Sequence, residues 1–147
     1  MQAKSAAEAA VTMVREMFPR DANANGDIYG GRILDLFDEV SGIVAKRHAQ
    51  SHCVTAAVHD MVFEKPVAVG NLIHITGRVV YVGRTSMTLR IEMDREERDT
   101  GKRERAAWAY FTYVAVRKGK PIEVPRLLLQ SDEEKRLWHE AEALRKR

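Results

Sequence analysis

The residues best equipped for chemistry lie in Asn23-Ala24-Asn25-Gly26-Asp27-Ile28-Tyr29-Gly30-Gly31 and, a little further on, at Asp38. A carboxylate serves as base or nucleophile, an asparagine amide orients a polar partner, and a Gly-Gly step lets main-chain N–H groups approach a carbonyl or an anion. The stretch runs directly into a helical pattern from Arg32 to His48 with Asp38 in its middle.

At about 100° per residue, Ile33, Leu34, Leu36, Phe37, Val40, Ile43 and Val44 share one half of that helix and should face a core. Gly31, Asp38, Gly42 and Ala45 form a strip at the edge of this half, a lane of small residues beside the carboxylate. Such a lane leaves room for a ligand or another backbone, and Gly30-Gly31 at the helix start offers free amides and the positive end of the helix dipole. On spacing alone a plainer reading also stands, in which the glycines only cap a helix packed on a sheet and Asp38 is solvated.

The elements that position these residues follow from pattern. Ala10 to Phe18 reads as an edge strand, and Pro19 to Gly31 as a loop whose Asp, Asn and Gly residues favour turns. Four strand candidates follow the helix: Val54 to Phe63, Leu72 to Val82, Met87 to Met93 and Ala106 to Val116. In the third, Met87, Leu89, Ile91 and Met93 alternate with Thr88, Arg90 and Glu92, as one wet face requires. The fourth is apolar or aromatic on both sides, which suggests a central strand or an interface. Gly83-Arg84-Thr85 and Asp99-Thr100-Gly101-Lys102 make short connections, so the last three strands should form an antiparallel meander. Ser131-Asp132-Glu133-Glu134 reads as a capping box opening an amphipathic helix over about 131–146, docked or frayed. One long helix and a meander without βαβ alternation predict an α+β class.

With 147 residues, 45% of them hydrophobic and 31% charged, the chain suits a single domain spanning 1–147. No apolar run reaches membrane-spanning length and the first ten residues lack a signal-peptide pattern, so a cytoplasmic location is expected. Cys53 is the only cysteine, which excludes an intrachain disulfide and a cysteine zinc cluster. The net charge of +3 comes from basic residues interleaved with acids, as in Arg95-Glu96-Glu97-Arg98-Asp99, which reads as a solvated hairpin and not a nucleic-acid stripe.

The block Pro19 to Gly31, then Asp38 and Ala45-Lys46-Arg47, resembles the hotdog-fold acyl-CoA thioesterases of the YciA and brain acyl-CoA hydrolase type. The likeness continues through Val54-Thr55, Met61-Val62-Phe63, Lys65-Pro66-Val67, Val69-Gly70, Val82 to Met87, Phe111-Thr112 and Val124-Pro125-Arg126. It implies a hotdog fold, a long helix wrapped by a curved antiparallel sheet, and a homodimer with composite active sites, assembled as a trimer of dimers. It also implies acyl-CoA hydrolysis to free acid and coenzyme A, with Asp38 as general base or nucleophile and Asn23 supplied by the other subunit. Gly30 and Gly31 would hold the thioester carbonyl. Arg84, Thr85, Ser86, Lys65, Arg126 and Thr55 are the candidates for binding the substrate and its coenzyme A, Arg84 first among them. No cofactor is implied beyond the substrate's own coenzyme.

There are departures from that family's pattern at His59-Asp60 and at Arg32, where a large apolar residue is common. They bear on acyl preference, not on the reaction. His59 reads as a structural strand histidine. His48 and His52 are four apart but straddle the expected helix end without a third ligand, so no metal is expected. The competing reading is a non-catalytic acyl-CoA-binding module on the same scaffold.

Overall fold

The computed structural model describes residues 1–146. In chain order its elements are β1 (Lys4–Ser5), α1 (Ala6–Ala9), β2 (Val11–Glu16), a 3-10 turn (Pro19–Asp21), α2 (Gly30–Ala49), β3 (Cys53–Phe63), β4 (Leu72–Val82), β5 (Ser86–Glu96), β6 (Arg103–Arg117), β7 (Lys120–Pro121), β8 (Leu127–Leu128) and α3 (Asp132–Arg145). The meander is β4, β5 and β6; β2 adds to β4 as the expected edge strand, and β3 lies against β6 on the other side, giving the order β2-β4-β5-β6-β3. β6 is thus interior, as its apolar character on both sides predicts. Register shifts interrupt the β3–β6, β4–β5 and β5–β6 ladders, and such bulges bend strands. All five strands touch α2. This helix wrapped by a bent antiparallel sheet is a hotdog fold, α+β in class.

The inner face of β5 packs Met87, Leu89, Ile91 and Met93 into one core with Ile33, Leu36, Phe37, Val40 and Val44 of α2. The buried arc of α2 is turned relative to the expected apolar half. It takes in Ser41, Ala45 and His48, while Leu34 and Ile43 lie at its edges, 37% and 44% exposed. Helix and sheet pack tightly at Gly77 of β4, where an added Cβ would stand 3.0 Å from both Ile91 Cδ1 and Val40 Cγ1 and 3.3 Å from Val44 Cγ2. Gly77→Val is therefore expected to overpack this contact and cost about 1–3 kcal/mol, read as a fall in thermal midpoint with the far-UV spectrum unchanged.

The outer face of β5 is not the wet face its alternation suggests. Thr88 is fully buried, and the Arg90 guanidinium lies 4.3 and 4.9 Å from the ring centroids of Trp108 and Tyr110. The cause is α3, which docks: Leu137 and Ala141 pack with Val80 and Tyr110, and Trp138 stacks 4.3 Å from Tyr81. Its start is capped as expected by Ser131, whose Oγ accepts the Glu134 amide at 3.1 Å, but the Glu134 carboxylate takes the Gln130 amide and not that of Ser131. Ion pairs Asp94–Arg103 and Lys102–Glu104 line the charged hairpin. Among the described residues no helix is long and apolar enough to cross a membrane.

At the end of α2, His48 is wholly buried and its Nε2 lies 2.9 Å from the Pro125 carbonyl, so Nε2 carries the proton, and Nδ1 has no partner among the described residues. Burial pushes the His48 pKa down. The unfolded chain then binds the proton more readily, and the stability this neutral imidazole supports is full above about pH 6.5 and is lost as pH falls through the lower folded value. Thermal midpoints measured from about pH 8 to pH 5 should fall more steeply for the wild type than for His48→Gln, which keeps a donor for Pro125 but does not titrate.

Candidate active site

The loop before α2 is built around two acidic and amide side chains. Asp21, buried, accepts the Phe18 amide at 3.0 Å and Arg32 Nε at 2.9 Å, while Arg32 also reaches Asp35 at 2.7 Å. The Phe18 amide foremost, and then the guanidinium, hold Asp21 below the usual carboxylate range against the opposing effect of burial. Arg32 thus ties the loop to the first turn of α2, which explains a charged residue at that position. Asn23 Oδ1 accepts the amides of Asn25 and Asp27 at 2.9 and 3.2 Å, a side-chain-closed turn that Gly26 completes with φ of +83°. Its side-chain NH2 group makes no bond among the described residues and is exposed to solvent.

Main-chain bonding then ties the loop to the connection between β3 and β4, with Ile28 donating to the Val67 carbonyl at 2.7 Å. Tyr29 is the residue before α2, and among the described residues no side chain caps the first turn. The amides of Gly30 and Gly31 therefore stand free at the positive end of a 20-residue helix. Gly30 lies under Phe63, whose Cζ would be 3.1 Å from an added Cβ.

Asp38 sits in mid-helix, half-buried, with its carboxylate gripped from the sheet. Thr55 Oγ1 donates to Oδ1 at 2.9 Å, and the Tyr113 hydroxyl reaches the same Oδ1 and, at 2.8 Å, the Asp38 main-chain carbonyl. Thr55 and Tyr113 are cross-strand partners on β3 and β6. Burial first, and the Asp38 contact second, push the Tyr113 pKa up, so this hydroxyl stays a donor. The small-residue lane is divided by these contacts. Ala45 belongs to the core and Gly42 faces the Tyr113 hydroxyl of the same chain, so only its Gly31 and Asp38 portion stays open.

That open portion is a cleft of about 310 Å³ lined by Gly31, Leu34, Asp35, Asp38, Thr55, Val58 and Phe111. It pairs an apolar wall with one fixed carboxylate, which suits an acyl group whose carbonyl end meets a base or nucleophile. Gly31 and Asp38 mark positions two turns apart, about 10 Å along the axis. A single carbonyl carbon therefore cannot engage the amides and the carboxylate of the same helix.

The residues expected to hold the coenzyme fall in three places, with Arg84, Thr85, Ser86 and Arg126 together at the β4–β5 turn. Thr55 binds Asp38. Arg126 donates to the carbonyls of Gly83 and Val124, Arg84 is exposed with Glu123 at 4.0 Å, and the Thr85 carbonyl accepts the Ala115 amide. Ser86 is buried and accepts Arg145 Nη1 at 2.6 Å, so the β4–β5 turn is bracketed by Arg126 and Arg145. Lys65 is elsewhere, paired with Glu104 at 3.4 Å beside a depression walled by Phe63 and Gly30. His59 binds Thr112 at 3.1 Å, and Thr112 binds Thr88 at 3.0 Å. Thr112 alternates with Phe111 and Tyr113, so this trio is on the outer face, away from Asp38. His48 is in the core and His52 on the surface, and among the described residues no group of three or more His, Cys, Asp or Glu is placed to hold a metal. Cys53 is buried, and burial pushes its thiol pKa up. Sequence reasoning missed Tyr113 and Arg145. The one signal for Tyr113 was a hydroxylated aromatic at an inward position of β6; Arg145 offered only a basic helix end.

Comparison with known proteins agrees with the fold. Residues 25–102 match the family model described as Thioesterase superfamily. The chain belongs to that superfamily. This superfamily member is 36% identical over 132 residues to the cytosolic acyl coenzyme A thioester hydrolase of Rattus norvegicus, covering 88% of the chain but 35% of the rat protein. It therefore spans about a third of that relative's length. It is 40% identical over 111 residues to the acyl-CoA thioester hydrolase YciA of Escherichia coli, covering 73% of the chain and 84% of that protein. Among solved structures, an apo-hexameric acyl-CoA thioesterase superposes with a TM-score of 0.94 at 33% identity, covering 99% and 94% of the two chains. An acyl-CoA hydrolase of Staphylococcus aureus, described in complex with butyryl coenzyme A, coenzyme A and its disulfide, gives 0.90 at 30% identity, covering 97% and 88%. Further structures of that hydrolase carry alanine in place of one asparagine, one aspartate and one threonine.

Proposed function

We propose that the chain hydrolyses acyl-CoA thioesters, releasing the free acid and coenzyme A. The observation that carries this reading is the Asp38 carboxylate, fixed by two hydroxyls at one end of an apolar cleft. The names of the relatives support it. So does spacing: in the Staphylococcus aureus hydrolase the replaced asparagine, aspartate and threonine are separated by 15 and 17 residues, the separations of Asn23, Asp38 and Thr55.

The active site is composite. Among the described residues β3 pairs with β6 alone, and it carries Val54, Val58 and Phe63, 42%, 44% and 50% exposed, with Val58 sharing the cleft with Leu34 of α2. A second copy joined edge to edge about a two-fold axis sets the two α2 helices side by side and antiparallel. The free amides of one helix start then face the middle of the other, which removes the separation of about 10 Å within a chain. In this arrangement the thioester carbonyl accepts from Gly30 and Gly31 of one subunit, and Asp38 of the other activates water or attacks directly. Asn23, whose NH2 group is unused by its own loop, orients the water or the carboxylate. The tetrahedral intermediate expels the thiolate, which takes up a proton and leaves as coenzyme A; on the direct route water then hydrolyses the acyl–Asp38 anhydride to the free acid and restores the carboxylate. Arg84 and Arg126 at the β4–β5 turn, with Thr85 and Ser86, hold the coenzyme's phosphates; Lys65 serves them from a separate site. The dimers assemble further, in line with the hexameric neighbour. No cofactor takes part, and the protein works in the cytosol, as the rat relative's name says of that enzyme.

Thiol release from acyl-CoAs of increasing chain length tests the reading and supplies the preferred length. Turnover of any of them upholds it, whereas tight binding without thiol release makes the chain an acyl-CoA-binding module.

A further inference from the structure

We infer that Tyr113 is a positioning residue for the reaction: together with Thr55 it occupies Asp38 Oδ1 and leaves Oδ2 as the oxygen that acts on water or on the thioester. This inference rests on the hydrolase reading above.

Three observations carry it. First, two hydroxyls from adjacent strands meet one carboxylate oxygen, Thr55 Oγ1 at 2.9 Å and the Tyr113 hydroxyl on the same Oδ1, while Oδ2 has no bond among the described residues. Second, the Tyr113 hydroxyl is also 2.8 Å from the Asp38 main-chain carbonyl, so one proton is shared between two acceptors of one residue, and the side chain is locked relative to its own backbone. Third, the ring is 97% buried and two residues from Phe111, which does the packing on the same face without a hydroxyl. A core position needs only the ring. A hydroxyl in this place is useful where a carboxylate must be ionised and aimed.

The chemical consequence is an asymmetric carboxylate. Two donors on Oδ1 engage its lone pairs and withdraw it from reaction. The remaining oxygen, Oδ2, is presented to the cleft. Whichever route the reaction takes, the bond made by the enzyme, O–H to a water proton or O–C to the acyl carbon, forms at Oδ2, and the electron pair of the broken C–S bond leaves with the thiolate.

The experiment compares wild type, Tyr113→Phe, Thr55→Val and Thr55→Ser on the acyl-CoA turned over fastest, with melting point and oligomeric state recorded for each. Tyr113→Phe is expected to lower kcat by about 10- to 100-fold, the loss of one charged hydrogen bond, with KM within about twofold. Thr55→Val should behave alike and Thr55→Ser should recover most of the loss. 3-Fluorotyrosine at position 113, nearly the same shape and a stronger donor, should keep kcat near the wild-type value while Tyr113→Phe, equally well packed, does not, a contrast that a packing role would not produce. An active wild type with unchanged kcat in Tyr113→Phe overturns the inference, as does a fall in kcat that merely follows a lowered melting point. A wild type that hydrolyses no acyl-CoA overturns the hydrolase reading itself, and this inference with it.

Discussion

Asp38→Ala is expected to lower kcat for acyl-CoA hydrolysis by about two to four orders of magnitude, the usual contribution of a positioned base or nucleophile. Folding should survive. Asp38 is half-buried at the rim of a cleft, and without its carboxylate the Tyr113 hydroxyl still has the Asp38 main-chain carbonyl 2.8 Å away. Asp38→Asn makes the comparison sharper, because it keeps the shape and an acceptor for Thr55 but removes the charge. Its KM should stay near the wild-type value while kcat falls as far as in the alanine variant. The measurement is steady-state thiol release, with melting point and sedimentation confirming the fold. Turnover within a few-fold of wild type in both variants would move the chemistry away from Asp38 and leave the carboxylate as a positioning or interface group.

Mixing two crippled variants should restore activity. If each site takes Asp38 from one subunit and Asn23 from the other, a heterodimer of Asp38→Ala and Asn23→Asp contains one site with both residues intact and one with neither. Random pairing makes half of the dimers mixed, each with one working site, so about a quarter of wild-type activity should return. Asn23→Asp is the suitable partner because its side chain still accepts the amides of Asn25 and Asp27, so the turn is kept while the NH2 group is lost. The two proteins are mixed after dissociation and reassociation, or coexpressed with different tags and purified on both. Recovery to no more than the sum of the separate variants would place Asn23 and Asp38 in one chain's site. The geometry argues against that outcome: Gly31 and Asp38 are about 10 Å apart on one helix, and no bond links Asn23 to Asp38 among the described residues.

Much of this protein was settled locally. The alternation of Met87, Leu89, Ile91 and Met93 requires a strand whatever surrounds it, and the apolar repeat from Ile33 to Val44 requires a helix. Asn, Asp and Gly between Pro19 and Gly31 specify turns through their own side chains and positive φ, so the loop that carries Asn23 to the helix start was readable too. The family resemblance names both Asp38 and Thr55, one as a catalytic group and the other as a substrate contact, and specifies no bond between them.

Only the tertiary structure joined them, because their contact depends on the register of β3 against β6. That register is broken by bulges between Thr55 and Ala57 and between His59 and Val62, so the partner of Thr55 cannot be counted from the turns. The same register brought in Tyr113. The rotation of α2 was equally undetermined: Leu34 and Ile43 are as apolar as their neighbours, and the buried arc takes in Ser41, Ala45 and His48 according to what packs on the helix, with Gly77 of β4 against Val40 and Val44 and the Pro125 carbonyl against His48. The outer face of β5 was polar enough to be read as wet, and became buried because an independent helix, α3, lies across it. Local periodicity determines which face of each element is apolar; which faces meet, and which side chains they bring within hydrogen-bonding distance, is decided by packing between residues far apart in the chain.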